Sequence, residues 1–340
     1  MLGMLDVILT MSFQTLNYPS QTFCYANTPR NKYNARSYQV QAIPPSSVIL
    51  SADESGKFSD NKKVYGSNLT SRRVESATPL ISESSSVGII GGVSVDATLK
   101  FLRKLVELSS SEEDGINSLP FAVCSDPLLN KELMSYEKSH FYSGRSKAES
   151  LNLDTSSVVH NLRNKRSFLE KSGASCIVMP CHISHSCYPE VSQECSVPFL
   201  HMGECVASEL KEAKLKPLEA GSPLRIGLLA TNATLAAGFY QEKLQNQGFE
   251  VVLPDKATME HTVIPAIEAL KRKDMEGACN LLRIALQVLL VRAVSLIVLA
   301  SHDMWDLLPQ DDPLLKKCID PMDALARSTI KWVKSSAEKA

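Results

Sequence analysis

Two short apolar runs, each followed by a chemically active side chain, most constrain how this chain can fold. The run Cys176 to Met179 predicts a buried strand that leads into Pro180-Cys181-His182. The run Leu296 to Leu299 predicts a second strand that leads into Ala300-Ser301-His302. Ligands of open α/β sheets bind outside the carboxyl ends of the strands. We therefore expect the thiol of Cys181 and the hydroxyl of Ser301, 120 residues apart in sequence, to share one site.

From Ser86 onward the chain alternates predicted strands with predicted helices, which favours a parallel sheet with helices on both faces. Pro217, Gly221 and Pro223 interrupt this pattern, which then begins again. We predict an α/β fold of two similar doubly wound parallel-sheet domains with the site in the cleft between them. The predicted domains are 86–215, completed by a C-terminal helix at 318–336, and 222–312. Predicted strands lie at 87–90, 119–124, 176–179, 197–202, 224–230, 249–253 and 295–299, and predicted helices at 96–108, 156–172, 204–213, 235–247, 263–272, 275–292 and 321–334.

Composition excludes several classes of function. A net charge of −1 gives no electrostatic case for a nucleic-acid or membrane partner, and no apolar run reaches the ~20 residues of a membrane span. The nine cysteines are odd in number and irregular in spacing, which predicts reduced thiols instead of a disulfide framework. The cluster of Cys and His between 181 and 195 matches no common structural zinc site, so we predict no metal.

The first 85 residues differ in composition from the rest. Residues 1–50 contain one acidic residue, Asp6, and are rich in hydroxylated and amide side chains. An N-terminus of this kind is typical of an organelle transit peptide. Because arginine is sparse, we predict import into a chloroplast ahead of a mitochondrion or a cytoplasmic location. The alternative is a disordered tail without a targeting function.

Five segments of the folded region, in order, resemble the aspartate/glutamate racemase family, which works without pyridoxal phosphate. The chain looks like a divergent, plant-like member with an N-terminal extension. Val87-Gly88-Ile89-Ile90-Gly91-Gly92 is similar to the family's opening GIIGG, and Cys124-Ser125-Asp126-Pro127 is similar to its Ser-Asn/Asp-Pro segment. Met179-Pro180-Cys181-His182-Ile183-Ser184-His185 is similar to its IPCNTAH, and Gly227-Leu228-Leu229-Ala230-Thr231-Asn232-Ala233-Thr234 is similar to its GLLAT-x-GT. Leu299-Ala300-Ser301-His302-Asp303 stands where the family has GCTE.

The resemblance implies an amino-acid racemase or epimerase that needs no cofactor and forms a homodimer. Two cysteines of that family face opposite sides of the substrate's α-carbon, since inversion needs a base and an acid on opposite faces. Cys181 matches the first of them, and Ser301 stands at the position of the second. The residues that match substrate-binding positions are Gly92, Ser125, His182, Ile183, His185, Thr231, Thr234 and His302.

The replacement of a cysteine by Ser301 leaves alternatives open. A hydroxyl is a much weaker acid than a thiol, so Ser301 requires activation by a base such as His302 or His185. One alternative is a decarboxylase or isomerase of the same superfamily that uses the single thiol of Cys181. Another is a homologue that binds a small carboxylate or amino acid without turnover.

Overall fold

A computed structural model describes residues 85–110, 119–141, 155–215 and 222–337. These residues lie in one compact unit that spans 74–340. The predicted transit peptide falls outside the described residues except for Ser85, and so do Pro217 and Gly221 of the predicted interruption between the two domains. Both remain predictions, and so do the exact domain boundaries.

The first half contains a three-stranded parallel sheet in the order β2-β1-β3. Its strands are β1 (Val87–Ile90), β2 (Phe121–Cys124) and β3 (Cys176–Val178). Its helices are α1 (Val95–Ser110), α2 (Pro127–Phe141), α3 (Ser156–Lys171), the 3₁₀ turn Ile183–Cys187, α4 (Tyr188–Ser192) and α5 (Met202–Glu212).

The second half contains a four-stranded parallel sheet in the order β5-β4-β6-β7. Its strands are β4 (Arg225–Ala230), β5 (Glu250–Val252), β6 (Leu296–Ala300) and β7 (Cys318–Ile319). Its helices are α6 (Asn232–Ala237), α7 (Phe239–Asn246), α8 (256–271), α9 (Met275–Val291), α10 (His302–Trp305), the 3₁₀ turn Leu315–Lys317 and α11 (Pro321–Ala337). The helix α8 runs through Lys256–Thr258, a π-helical turn Met259–Val263, and Ile264–Lys271.

The strands β1 and β3 are buried from both sides, as their continuous apolar runs predict, whereas the edge strand β2 is partly exposed, at Phe121 and Val123. On one face Ile89 packs in a cluster with Phe101 of α1. On the other, Ile90 packs with Leu162 of α3. The helix α11 lies against α1 and α5 of the first half, although it follows the second sheet in sequence. The predicted α/β class with two parallel-sheet halves is confirmed.

Three local predictions differ from the structure. The helix α2 was not predicted at all. The helix predicted at 235–247 is two helices, because Gly238 takes the left-handed conformation, φ 75°, at their junction. The strand predicted at 197–202 is reduced to a single bridge between Phe199 and Ile177.

Three features of the described residues concern membrane spans, metal binding and disulfide bonds. None of their helices has the length and apolar content needed to cross a bilayer. Within the same residues, no three His, Cys, Asp or Glu side chains are grouped to hold a metal ion. The eight cysteines that fall in these ranges are free thiols.

Candidate active site

Cys181 lies just beyond the end of β3, at the entrance to the 3₁₀ turn. Its side chain is buried, and its sulfur accepts a hydrogen bond from the Val93 N–H at 3.5 Å. Burial raises the pKa of the thiol because it disfavours the charged thiolate. Hydrogen bonding from Ser184 and Val93 opposes that rise in pKa, and the nearby Glu137 carboxylate adds to it. The net effect is a thiol whose pKa lies above its ordinary value.

Gly92 forms the wall directly behind this thiol. A Cβ atom at position 92 would lie 2.1 Å from the Cβ and 2.4 Å from the Sγ of Cys181. Such approaches are far below van der Waals contact, so only a glycine allows the β1–α1 turn to come this close. This close approach brings the Val93 N–H to the sulfur.

Ser301 occupies the matching position in the second half, directly after β6. It is the N-cap residue of α10, where a hydroxyl ordinarily accepts a hydrogen bond from a first-turn N–H. The Ser301 side chain makes no such capping bond, and it is 6% exposed. Since Ala230 pairs in register with Ala300, Thr231 and Ser301 leave the sheet at the same edge.

An inner cavity of about 30 Å³ separates the two strand ends. It is lined by Cys181, His182 and Ile183 from the first half and by Thr231, Thr234 and Ser301 from the second, with Val93, Glu137, Ala300 and Asp303 completing the wall. This volume exceeds the roughly 10–15 Å³ that one water molecule requires, so a small group of a substrate can occupy the space that these side chains surround. The thiol and the hydroxyl therefore meet at one cavity, as the strand ends predicted.

A larger cavity of about 340 Å³ adjoins the inner one and shares Glu137, Ser301 and Asp303 with it. Lys138 of α2 and Lys271 of α8 also line it. Its volume lies within the range of small-molecule sites, about 300–1,000 Å³. The arrangement offers carboxylates beside the thiol and ammonium groups farther out.

Two of the predicted site residues, Ser125 and His185, do not line either cavity. Ser125 is exposed at the end of β2. His185 is buried, with its Nε2 at 3.0 Å from the Met179 carbonyl oxygen, and its ring packs against His201 and Phe239. Burial lowers the pKa of His185 well below its ordinary value, so this imidazole is neutral. The backbone of His302 begins α10, and its side chain lies outside the described residues.

His182 is held in the cavity wall by a hydrogen bond that joins the two halves. Its Nδ1 lies 2.9 Å from the hydroxyl of Tyr240 on α7. Tyr240 is fully buried, and this burial raises the pKa of its hydroxyl well above its ordinary value. The phenol therefore remains protonated and serves as a neutral partner that fixes the imidazole ring.

Glu137 and Asp303 were not predicted as site residues. Glu137 lies on α2, which begins at Asp126-Pro127, and the Asp126 carboxylate accepts a hydrogen bond from the Leu128 N–H at 2.8 Å. An Asp followed by Pro is a helix-start signal, so α2 could have been found in the sequence. Asp303 follows Ser301 by two residues, and its place after a strand end was a usable signal too.

Comparisons with known proteins point to one family. A family model described as Asp/Glu/Hydantoin racemase matches residues 90–329. The broad specificity amino-acid racemase RacX of Bacillus subtilis (strain 168) is 24% identical over 248 residues, which cover 72% of this chain and 96% of that protein.

Two solved structures are similar as well. The aspartate racemase of Picrophilus torridus is 25% identical, with a TM-score of 0.54, over 74% of this chain and 94% of that one. An aspartate racemase homologue from Pyrococcus horikoshii OT3 is 21% identical, with a TM-score of 0.58, over 74% of this chain and 99% of that one.

Proposed function

Since the chain belongs to the Asp/Glu/hydantoin racemase family, we propose that it is a cofactor-independent amino-acid racemase in which Cys181 is the base on one face of the α-carbon. One observation supports this proposal above the others. Cys181 and Ser301 come from strand ends of different sheets and line the same inner cavity of about 30 Å³. Inversion of a stereocentre needs proton carriers on opposite sides of one carbon, and this pair reaches one cavity from two different sheets.

The substrate's α-carboxylate is proposed to bind at the turn between β4 and α6. The Thr231 hydroxyl donates to the Thr234 hydroxyl oxygen at 3.3 Å. Thr234 can therefore direct its own O–H at a carboxylate in the inner cavity, which both threonines line. A carboxylate of Glu137 or Asp303 at the same cavity suits the α-ammonium group.

The larger cavity of about 340 Å³ suits the substrate's side chain, and the Lys138 and Lys271 side chains that line it favour a carboxylate there. Aspartate and glutamate are thus the first candidates. We predict that Lys271→Met raises KM for them about tenfold and changes kcat little, since a hydrogen bond to a charged group contributes about 1.5–3 kcal/mol. Steady-state kinetics with both amino acids measure this effect.

The control is Lys273→Met, which makes the same substitution two residues farther along the chain. The side chain of Lys273 is exposed and does not line the cavity. An equal rise in KM for both variants, or none for Lys271→Met, would contradict an acidic side-chain subsite.

The proposed function is tested by proton NMR in D2O. The full chain is incubated with each enantiomer of aspartate and glutamate and with a panel of neutral and basic amino acids. Loss of the α-proton signal together with inversion, measured by chiral chromatography, is expected for at least one of them. The reaction should persist with hydroxylamine, which traps pyridoxal phosphate and so controls for a contaminating racemase.

Other outcomes favour the alternatives. Exchange without inversion would indicate an enzyme that uses one thiol only, as in a decarboxylase or isomerase. Saturable binding with no exchange of any amino acid would indicate a carboxylate-binding homologue and would end the racemase proposal.

A further inference from the structure

The hydroxyl of Ser301 lacks a means of carrying a proton by itself. A serine that protonates a carbanion would be left as an alkoxide, which is strongly unfavourable in a buried pocket unless a base shares the proton. In many folds such a serine would simply cap the following helix, but Ser301 makes no capping bond. Its buried hydroxyl faces the inner cavity instead.

Among the histidine side chains that the structure describes, His182 is the one that lines the cavity of Ser301. His185 packs behind the cavity on the Met179 carbonyl oxygen. His201 caps α5 by accepting from the Gly203 N–H at 3.0 Å. His182 and Ser301 both line this cavity of about 30 Å³, so both face the space that a substrate's reacting carbon would occupy.

The environment of His182 suits a group that changes its protonation without moving. Its Nδ1 is fixed by the Tyr240 hydroxyl at 2.9 Å, and a hydroxyl can either donate to a neutral ring or accept from a charged one. Tyr240 comes from the second half, so the bond also holds the ring towards the wall that carries Ser301. The family segment that this run resembles has an asparagine at this position, and an asparagine cannot carry a proton.

We propose that His182 is a positioning residue that relays a proton through Ser301 to the face of the α-carbon opposite Cys181. This inference rests on the proposed racemase function. Together, His182 and Ser301 take the place of the family's second thiol.

The step conserves protons and electrons in both directions. The Cys181 thiolate takes the α-proton, so the C–H bond breaks, an S–H bond forms and the electron pair remains on the α-carbon. The carbanion then takes the proton of the Ser301 hydroxyl on its other face, while the imidazolium of His182 passes its proton to the serine oxygen. The inverted product leaves a thiol and a neutral imidazole, and the same groups run the reverse reaction without an alkoxide.

The test separates the two faces of the α-carbon. In His182→Asn, inversion should fall about 50-fold or more, within the range of one general acid–base group. Exchange of the enantiomer whose α-proton faces Cys181 should change by less than about threefold, because the thiol alone can return a deuteron with retention. That retained exchange shows that the variant is folded, which a merely structural role for His182 would not predict.

Three further variants sharpen the result. Ser301→Ala should show the same pattern, and the double variant His182→Asn with Ser301→Ala should be no slower than either single one, because the two residues act in series. Tyr240→Phe should slow inversion about tenfold and spare exchange, since it removes only the hydroxyl that fixes the ring.

Specific results would overturn the inference. Inversion by His182→Asn within about threefold of the natural protein would exclude the relay and leave the racemase intact. Parallel loss of inversion and exchange would show that His182 supports the whole site and is not specific to one face. Absence of exchange by the natural protein would overturn the proposed function and this inference with it.

Discussion

Cys181→Ala is expected to lower α-proton exchange of the preferred substrate about 1,000-fold or more, within the 10²–10⁴-fold range of a removed general base. The loss of exchange should be greatest for the enantiomer whose α-proton faces Cys181, and inversion should be lost in both directions, because Cys181 removes the proton in one direction and delivers it in the other. The substitution removes only a sulfur from a buried side chain that fits beside Gly92, so the fold should persist. Loss of the α-proton signal in D2O measures the effect.

Cys187→Ala is the matched control. This cysteine ends the 3₁₀ turn that follows Cys181 and is similarly buried, but it does not line the inner cavity. Its loss should leave exchange within about a factor of 3. Equal exchange by Cys181→Ala and Cys187→Ala would remove the thiol from the mechanism.

The pH dependence should carry the signature of the same thiol. Burial raises the pKa of Cys181, so the thiolate fraction at neutral pH is small and grows as pH increases. Alkylation of Cys181 by iodoacetamide should therefore accelerate with pH beyond the range in which an exposed thiol has already levelled off, which mass spectrometry of the modified peptide can follow. A rate that levels off at or below neutral pH would show a lowered pKa instead.

Strand ends were the most predictable part of this molecule. A parallel strand that is buried on both faces reads as a short apolar run, and the residue that follows it must lie at the carboxyl edge of the sheet. That rule brought Cys181 and Ser301 together correctly from sequence. The split of one predicted helix at Gly238 was less accessible, because an isolated glycine inside a helical pattern is usually tolerated.

No local sequence pattern gives the order of the strands within a sheet. The sequence therefore could not show that Ser125 lies away from Cys181. The residue does follow a strand end, as predicted. However, β2 is the edge strand of the order β2-β1-β3, and β1 separates it from β3, which leads into Cys181. The turn after β1, with Gly92 and Val93, occupies the place beside the thiol instead.

The sequence also could not predict in which direction each side chain of a turn points. His182 and His185 belong to one short run, and either could have faced the cavity. The 3₁₀ turn directs His182 to Tyr240 and the cavity and directs His185 to the core. The partners that decide this, Tyr240 and Phe239, lie more than 50 residues away in sequence. Only tertiary packing settles which imidazole lines the cavity.

Gly92→Ala is expected to lower exchange and inversion about 100-fold or more, because displacements of about 1 Å at a reacting group can cost two orders of magnitude. The added methyl would lie 2.1 Å from the Cys181 Cβ and 2.4 Å from its Sγ. The Cβ is fixed to the backbone, so the conflict can be relieved only by moving the β1–α1 turn or the Cys181 segment. Either movement also removes the Val93 N–H from the sulfur.

Gly91→Ala separates this effect from a general cost of substituting the turn. It adds the same methyl one residue earlier, where the nearest atoms belong to Ser125, at 3.0 Å or more, and none belong to Cys181. The nearest of these atoms, the Ser125 Oγ, can rotate away, and the Ser125 Cβ and Cα, at 3.1 and 3.3 Å, need a shift of only about a few tenths of an ångström. We therefore expect activity to remain within about fivefold. Kinetics of both variants, with urea unfolding to compare their stabilities, decide the matter. If Gly92→Ala kept its activity at unchanged stability, the tight wall behind Cys181 would have no part in placing the thiol, and the site geometry proposed for catalysis would have to be abandoned.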